Sequence, residues 1–419
     1  MLNLLFVMIG VGLGFSTSQN GLVLSAYGIT YIIMPPILGH ISDKISHKKG
    51  LIISVLGQII LSLFLLFVLK LITSSMILFY CFFIEQLLRG VFYSFYWPVI
   101  EAYISRTEGH SLKAHREGIN NFCISWGLGM AIGPLIGGLI SDWEVIFGFW
   151  VIIIGEIFAL IIVLVKIREY KNSINDDSPS RINSKVNGKF VKKGSKRETI
   201  NANEKEIEIE IKQEMEQEKA DDLRNRKTGT NKEITIFLLI ISLLFALNSK
   251  LILYYFPNYA ILPKNIGGLG WSGSITGEIM LFYGFGQFLF FLIGRYFKNT
   301  FKALISSSFF LACLILMLNW VKNEIITAAI LLFVGLMVGR LYYVSLELLM
   351  LYEKGEKGKK ADLFESSIGL GGILSPLIAG NLAFISLGFP FVFYGILSLL
   401  FFIGLILFKM NKNELKILD

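Results

Sequence analysis

The feature that most limits the fold of this chain is a series of apolar runs, each about as long as a bilayer is thick. A hydrocarbon core of ~30 Å takes about 20 helical residues to cross. Residues 51–70 and 145–166 reach that length with at most one interior charge. One such run could be a buried core helix. About a dozen of them fit only a helical membrane protein, because backbone that faces lipid must satisfy its hydrogen bonds within its own segment. The runs fall at roughly 2–18, 21–41, 50–70, 75–104, 117–140, 145–166, 234–257, 274–295, 302–320, 325–351, 362–382 and 387–408. Composition agrees: 54% of the 419 residues are hydrophobic, above the share of an ordinary soluble chain. The expected fold class is an all-α polytopic membrane protein of twelve transmembrane helices.

A formal net charge of +8 would suggest nucleic acid in a soluble chain. Here basic residues are expected to collect in cytoplasmic loops instead. Spans 2, 4, 8 and 10 end in such clusters: Lys44, Lys48 and Lys49; Arg106, Lys113 and Arg116; Arg295, Lys298 and Lys302; Lys354, Lys357, Lys359 and Lys360. The alternate loops carry Lys70, Lys264 and Lys322 singly, and Asp142 with Glu144 between spans 5 and 6. A missed or extra span would break this alternation, so the charges support twelve crossings with both termini in the cytoplasm. The three cysteines, Cys81, Cys123 and Cys313, lie in apolar runs and offer neither a disulfide framework nor zinc spacing. The first run starts almost at Met1 without a basic leader or a small-residue cleavage site, so a cleavable signal peptide is not expected. Either helix 1 is short, or the assigned start lies too far downstream.

Between spans 6 and 7 the composition changes. Residues 168–233 are polar, basic first (Arg181, Lys185, Lys189, Lys192, Lys193, Lys196, Arg197) and acidic later, over 204–222, where Ile207, Ile209 and Ile211 alternate with glutamates. Such a segment reads as a mostly disordered cytoplasmic linker. Its basic half could rest on anionic headgroups, and its alternating piece could form a short strand or a short helix. The domains expected are therefore 1–167, 168–233 and 234–419, two bundles of six helices around a linker.

The two bundles repeat. Residues 125–139 read SWGLGMAIGPLIGGL and residues 367–381 read SIGLGGILSPLIAGN, with eight identities in fifteen ungapped positions. Spans 2 and 8 share a fainter echo, Tyr27-Gly28 and Tyr283-Gly284. Two parallel repeats joined by a central loop place a binding site near the midplane between them.

Three motifs carry a family resemblance. After span 2 the chain reads Gly39-His-Ile-Ser-Asp43-Lys44-Ile-Ser46-His47-Lys48-Lys49-Gly50. This resembles the signature loop of the major facilitator superfamily, a Gly, an Asp four residues on, then basic residues. Ser46 replaces the usual second Gly, and His47 the first late basic residue. A carboxylate at the membrane face can cap the positive N-terminus of a neighbouring helix. The resemblance implies that Asp43 caps span 11 and latches the inner side. On span 5, Gly129, Gly133, Pro134, Gly137 and Gly138 resemble the motif typical of the family's antiporters, implied to seal the outer half of the cavity. Small residues at this spacing also let helices approach closely. Span 11 carries nearly the same pattern in Gly371, Pro376 and Gly380, so generic packing is an alternative. On span 4, Glu85-Gln86-Leu-Leu-Arg89-Gly90 resembles an Arg-then-Gly motif, but Gln86 occupies the Arg position. Arg89 is three residues on, its helical face displaced by ~60°.

In this family spans 1, 4, 7 and 10 line the cavity. The resemblance therefore puts Glu85, Gln86, Arg89, Lys250, Arg340 and Glu347 near substrate or coupling ion. Intramembrane charges are functional candidates by default because an unpaired one is costly. Glu85 and Arg89, one turn apart, could instead pair with each other. Glu156, central on span 6, has either a packing or a proton-site role.

The resemblance implies a secondary transporter working by alternating access, closest in motif to the drug/proton antiporters. The activity this implies is proton-coupled export of small amphipathic organic compounds. Uptake or exchange of a small organic anion or a sugar derivative is the alternative, supported by Arg89, Lys250 and Arg340, and a non-transporting sensor is a third. No nucleotide-binding loop is present, and the four histidines, all in or beside loops, form no catalytic or metal constellation. No enzyme activity, cofactor or metal is expected. The expected partners are a small-molecule substrate, protons and the lipid bilayer of the plasma membrane, with no nucleic acid, and the chain is expected to work as a monomer.

Overall fold

The structure, a computed structural model, describes residues 1–45, 47–107, 112–167, 231–294, 296, 301–351 and 357–411. Most of the linker expected at 168–233 lies outside the described residues. So do the side chains of Gly39, Asp43 and Lys44, although these residues belong to a described helix. Residues 1–167 and 237–419 fall in one compact unit, and it is this unit that carries the site.

The described residues form helices and no strand. In chain order these are α1 (Leu2–Gly12), α2 (Thr17–Ile45), α3 (His47–Leu71), α4 (Ser75–Thr107), α5 (Leu112–Ser141) and α6 (Val145–Lys166). Beyond the linker come α7, α8 (Gly273–Gly294), α9 (Phe301–Met317), α10 (Glu324–Leu351), α11 (Lys357–Leu382) and α12 (Phe389–Asn411). Helix α7 has three parts: an α-helix (Asn231–Lys250), a π-helical turn (Leu251–Tyr255) and a last α-helical piece (Phe256–Ile261). Among the described residues nine helices are long and apolar enough to cross a membrane, and Leu2–Gly12 and Lys302–Met317 are shorter apolar helices.

Two boundaries differ from the sequence reading for local reasons. The first helix, expected over 2–18, stops at Gly12. Gly14 takes φ +79°, a left-handed conformation that costs glycine little. Phe15 N–H then bonds back to Gly10 O at 2.8 Å, which closes the helix end as in a Schellman motif. The seventh span runs on to Ile261 through its π turn. Pro257 has no N–H to offer the carbonyl four residues earlier, and its ring crowds that carbonyl. The Phe256 N–H accordingly reaches five residues back, to Leu251 O.

The first six helices pack α2 on α4, α4 on α3 and α3 on α6. The last six repeat this as α8 on α10, α10 on α9 and α9 on α12. Across the two sets, α2 packs on α11 and α5 on α8. The contacts correspond residue for residue. Gly21 of α2 meets Pro376 O of α11, as Gly277 of α8 meets Pro134 O of α5. Gly127 of α5 lies against Phe288 of α8, as Gly369 of α11 lies against Ile32 and Tyr31 of α2. The sequence echoes on spans 2, 5, 8 and 11 are therefore the surfaces that join the two sets. At Gly28 a Cβ would come to 2.6 Å from Ile373 N and 2.7 Å from Gly369 O, both backbone atoms that cannot step aside. Gly129, by contrast, faces open space.

A side chain at Gly28 should force α2 and α11 apart at a cost of at least about 1–3 kcal/mol. Gly28→Val is expected to lower the melting temperature of the purified protein in detergent, whereas Gly129→Ala leaves it unchanged. Equal melting temperatures for the two variants would contradict this packing.

Candidate transport site

A cavity of ≈ 230 Å³ lies between the two sets of helices. From the first set it takes Tyr27 and Tyr31 of α2, Gln86, Arg89, Tyr93 and Trp97 of α4, and Trp126 of α5. From the second come Ser249, Lys250 and Tyr254 of α7, Tyr342 of α10 and Glu365 of α11. The wall is mostly aromatic with a few charges. Tyr27 stacks on Tyr31 with ring centroids 5.0 Å apart, and Trp126 lies 4.8 Å from Tyr342.

On α4 the four-residue spacing brings Glu85 and Arg89 together, with Arg89 Nε donating to Glu85 Oε1 at 2.5 Å. Gln86 Nε2 donates to the other Glu85 oxygen at 3.1 Å. Helix α3 packs on both α4 and α6, and its Ser62 links them. Ser62 Oγ accepts from Arg89 Nη2 at 3.2 Å and donates to Glu156 Oε2 at 3.1 Å, while Arg89 Nη1 reaches Glu156 Oε1 at 3.4 Å. Glu85 is 0% exposed and Arg89 1%. The expected Glu85–Arg89 pair thus forms, and it also recruits Glu156, which the sequence reading set apart on a peripheral helix. Gln86 and Arg89 face the cavity, whereas Glu85 is shut behind them.

Lys250 ends the first part of α7, where the π turn begins. Its Nζ lies over two aromatic rings, 5.6 Å from the centre of Tyr27 and 5.1 Å from that of Tyr254, and is 3.4 Å from the Tyr254 hydroxyl. No carboxylate among the described residues pairs with it. Such cation–π contacts are worth about 0.5–2 kcal/mol each, too little to replace the water an ammonium loses on burial.

The structure adds residues that the sequence reading passed over. Glu365 of α11 is buried (4% exposed) and accepts a hydrogen bond from the Tyr31 hydroxyl across the two sets. The signal was present, since Glu365 is a charge in an apolar run, but it lies near the start of its span. The partner could not be read, because Tyr31 comes from the other half of the chain. Of the other expected residues, Glu347 is buried on α10, and Arg340 is partly exposed with a buried Nε that has no hydrogen-bond partner among the described residues. Neither lines the cavity. Of the loop motif, Lys48 Nζ donates to Leu164 O of α6 at 2.8 Å and Lys49 is exposed. In the span-5 motif Gly138 packs against Gly273 and Gly277 of α8, while Gly133 and Gly137 face Met1. In the span-11 copy Gly371 meets Ala246 of α7, and Gly380 meets Thr17 and Ser18 of α2.

At the face where α5 ends and α8 begins, Asp142 bridges the two sets. Its oxygens accept from Gly273 N–H at 2.9 Å, Ser274 N–H at 3.0 Å and the Ser274 hydroxyl at 2.5 Å. A carboxylate at a helix N-terminus satisfies free N–H groups and the positive end of the dipole. Nearby, Asn20 Nδ2 donates to Asn258 Oδ1 at 2.8 Å, a buried link between α2 and the end of α7. The partial burial of Asp142 would raise its pKa, but the hydrogen bonds from Ser274 and Gly273 outweigh it and hold the pKa below the ordinary 3.8.

A mostly aromatic cavity with a few charged side chains, set between two sets of helices that repeat one another, is what a membrane transporter of this fold presents. The chain matches the Major Facilitator Superfamily over residues 1–352 and belongs to that family. It is 29% identical over 133 residues to a melibiose permease from Enterobacter cloacae, a match that covers 30% of each chain. In fold it is similar to a D-xylose–proton symporter (TM-score 0.65, 15% identity, covering 96% of this chain and 90% of the other). It is also similar to the human organic anion transporter (TM-score 0.61, 15% identity, 92% and 83%) and to a nucleoside transporter (TM-score 0.59, 14% identity, 96% and 94%).

Because the folded state lowers the Asp142 pKa, its stabilisation is present above the ordinary 3.8 and is lost as pH falls through the lowered value. Asp142→Ala should cost about 0.5–2 kcal/mol, the range for losing a helix cap. Thermal unfolding in detergent should show this difference near neutral pH, and the two proteins should converge in strong acid. A constant difference at every pH would mean that the carboxylate charge contributes nothing.

Proposed function

We propose that this chain is a secondary transporter working by alternating access, and that it moves a small organic anion or an anionic sugar derivative by uptake or exchange. The observation that carries this reading is Lys250, an ammonium on the cavity wall held over two tyrosine rings with no acid among the described residues at salt-bridge distance. A solute with a carboxylate or phosphate supplies the missing charge, and the surrounding tyrosine and tryptophan rings suit the apolar faces of a sugar or a planar acid. The sugar, nucleoside and organic anion transporters among its relatives support solutes of this kind.

Export of drug-sized amphipathic compounds, the reading drawn from the span-5 motif, has less support. Sites for such compounds occupy about 300–1,000 Å³, more than the ≈ 230 Å³ here. Glu85 is closed off by Arg89. The span-5 glycines recur on α11, and Gly138 and Gly380 make matching contacts across the two sets, as a packing device would. The proposal keeps the expected setting: two six-helix bundles, 1–167 and 234–419, in the plasma membrane, joined by a cytoplasmic linker at 168–233, with cytoplasmic termini and a monomeric working unit.

The test is counterflow in proteoliposomes with a panel of small organic anions, neutral sugars and lipophilic cations. Anion counterflow is expected, and Lys250→Met should weaken apparent affinity about 10- to 100-fold, the loss of one charge-assisted hydrogen bond, without changing the melting temperature. Exchange of lipophilic cations with no anion counterflow would overturn the reading.

A further inference from the structure

The cluster of Glu85, Arg89 and Glu156 does not balance in charge. Two carboxylates share one guanidinium, and the remaining polar contacts are neutral: Gln86 on Glu85 and Ser62 on Glu156. The side chains are 0%, 2% and 13% exposed. With both carboxylates ionised, the cluster would keep a net negative charge inside the membrane, which is strongly disfavoured. A second cation would remove it, but among the described residues none other than Arg89 pairs with either carboxylate. From α4, only Glu85, Arg89 and the phenol of Tyr93 face Glu156. From α3 comes the Ser62 hydroxyl. Helix α1 has no charged side chain, the Met1 amine before it lies against Gly133 of α5, and the charged residues of α5, Lys113, His115, Arg116 and Glu117, all fall in its first six residues. The remaining neutraliser is a proton.

We infer that Glu85, Arg89 and Glu156 form a proton site that holds one exchangeable proton on the Glu156 carboxyl, loaded by way of the cavity. Glu156 takes the proton because Glu85 has the short, direct bond to Arg89, whereas Glu156 meets the guanidinium only at 3.4 Å. In the exchange a hydronium ion of the bathing water gives up one O–H bond, Glu156 gains one, and no other group changes. The cluster adjoins the cavity: Gln86 and Arg89 line it, Gln86 contacts Glu85, and Arg89 contacts both carboxylates. The site also deepens the anion-carrier reading and rests on it for this step alone. An anion beside Lys250 is repelled by a cluster of net charge −1 and not by a neutral one. Proton and anion therefore favour each other's binding, which makes the movement symport.

The site can be tested without any substrate. Infrared difference spectroscopy of the whole protein in liposomes reads the carbonyl stretch of protonated carboxyl groups near neutral pH. The number of protons held should equal carboxylates minus guanidinium. The wild type should show one band from this cluster, and both Glu156→Gln and Glu85→Gln should lose it, since each variant is neutral without a proton. Arg89→Gln, where it folds, should gain intensity. A band unchanged in both glutamate variants, or absent from the wild type, would overturn the site. In transport, the apparent KM of whichever panel anion shows counterflow should fall as pH falls, by a total of about 5- to 150-fold, and Glu156→Gln should remove that dependence. A KM that responds to pH as before in Glu156→Gln would overturn the coupling. If the infrared pattern holds but no anion gives counterflow, the proton site stands and the anion reading fails.

Discussion

The backbones of α2 and α11, and of α5 and α8, approach to within contact of one another, and the rest of the structure is arranged around those two seams. In lipid no hydrophobic drive pulls helices together, so close packing of small residues and polar contacts must hold them. Glycines at Gly21, Gly28, Gly277 and Gly284 leave room for the carbonyls and amides of the facing helices. Because the seams are related by the internal repeat, they flank the cavity in equivalent ways.

The aromatic and charged residues then divide the labour. Rings from both bundles shape a small space, while the charges are handled differently on its two sides. In the first bundle a guanidinium is held by two acids and a serine within a single set of helices. In the second, an ammonium is left over tyrosine rings. A cation already satisfied by neighbours contributes to the architecture, and one that is not is available to a ligand. Distances and partners separate Arg89 from Lys250 in this way, although both are basic residues deep in apolar helices.

Much of this was legible in the sequence. The apolar helices and the Gly/Pro echo required only local reading, because helix periodicity acts along the chain. The Glu85–Arg89 pair was likewise a matter of spacing. What could not be read depended on contacts between distant segments. Glu156 joins Arg89 because α3 packs on both α4 and α6, and Glu365 meets Tyr31 because α11 packs on α2. The end of the first helix at Gly12 and the π turn after Lys250 were also missed. Apolar periodicity continues past both, and only the left-handed Gly14 and the missing N–H of Pro257 interrupt the backbone. The span-5 glycines taught the opposite lesson: a motif with a functional association recurs on α11 as part of the seam between bundles.

The Asp142 clasp on α8 has a further consequence for how such a protein could live with a pH gradient. Its carboxylate, stabilised by N–H donors, is harder to protonate than an ordinary aspartate, so the clasp responds less to acid than a free carboxylate would. A carrier that senses acidity needs a second, receptive acid away from the rim, or each fall in pH would loosen its closure before any cargo arrived. Separating the acid that fastens from the acid that listens lets the gradient be felt in the interior without prising open the edge.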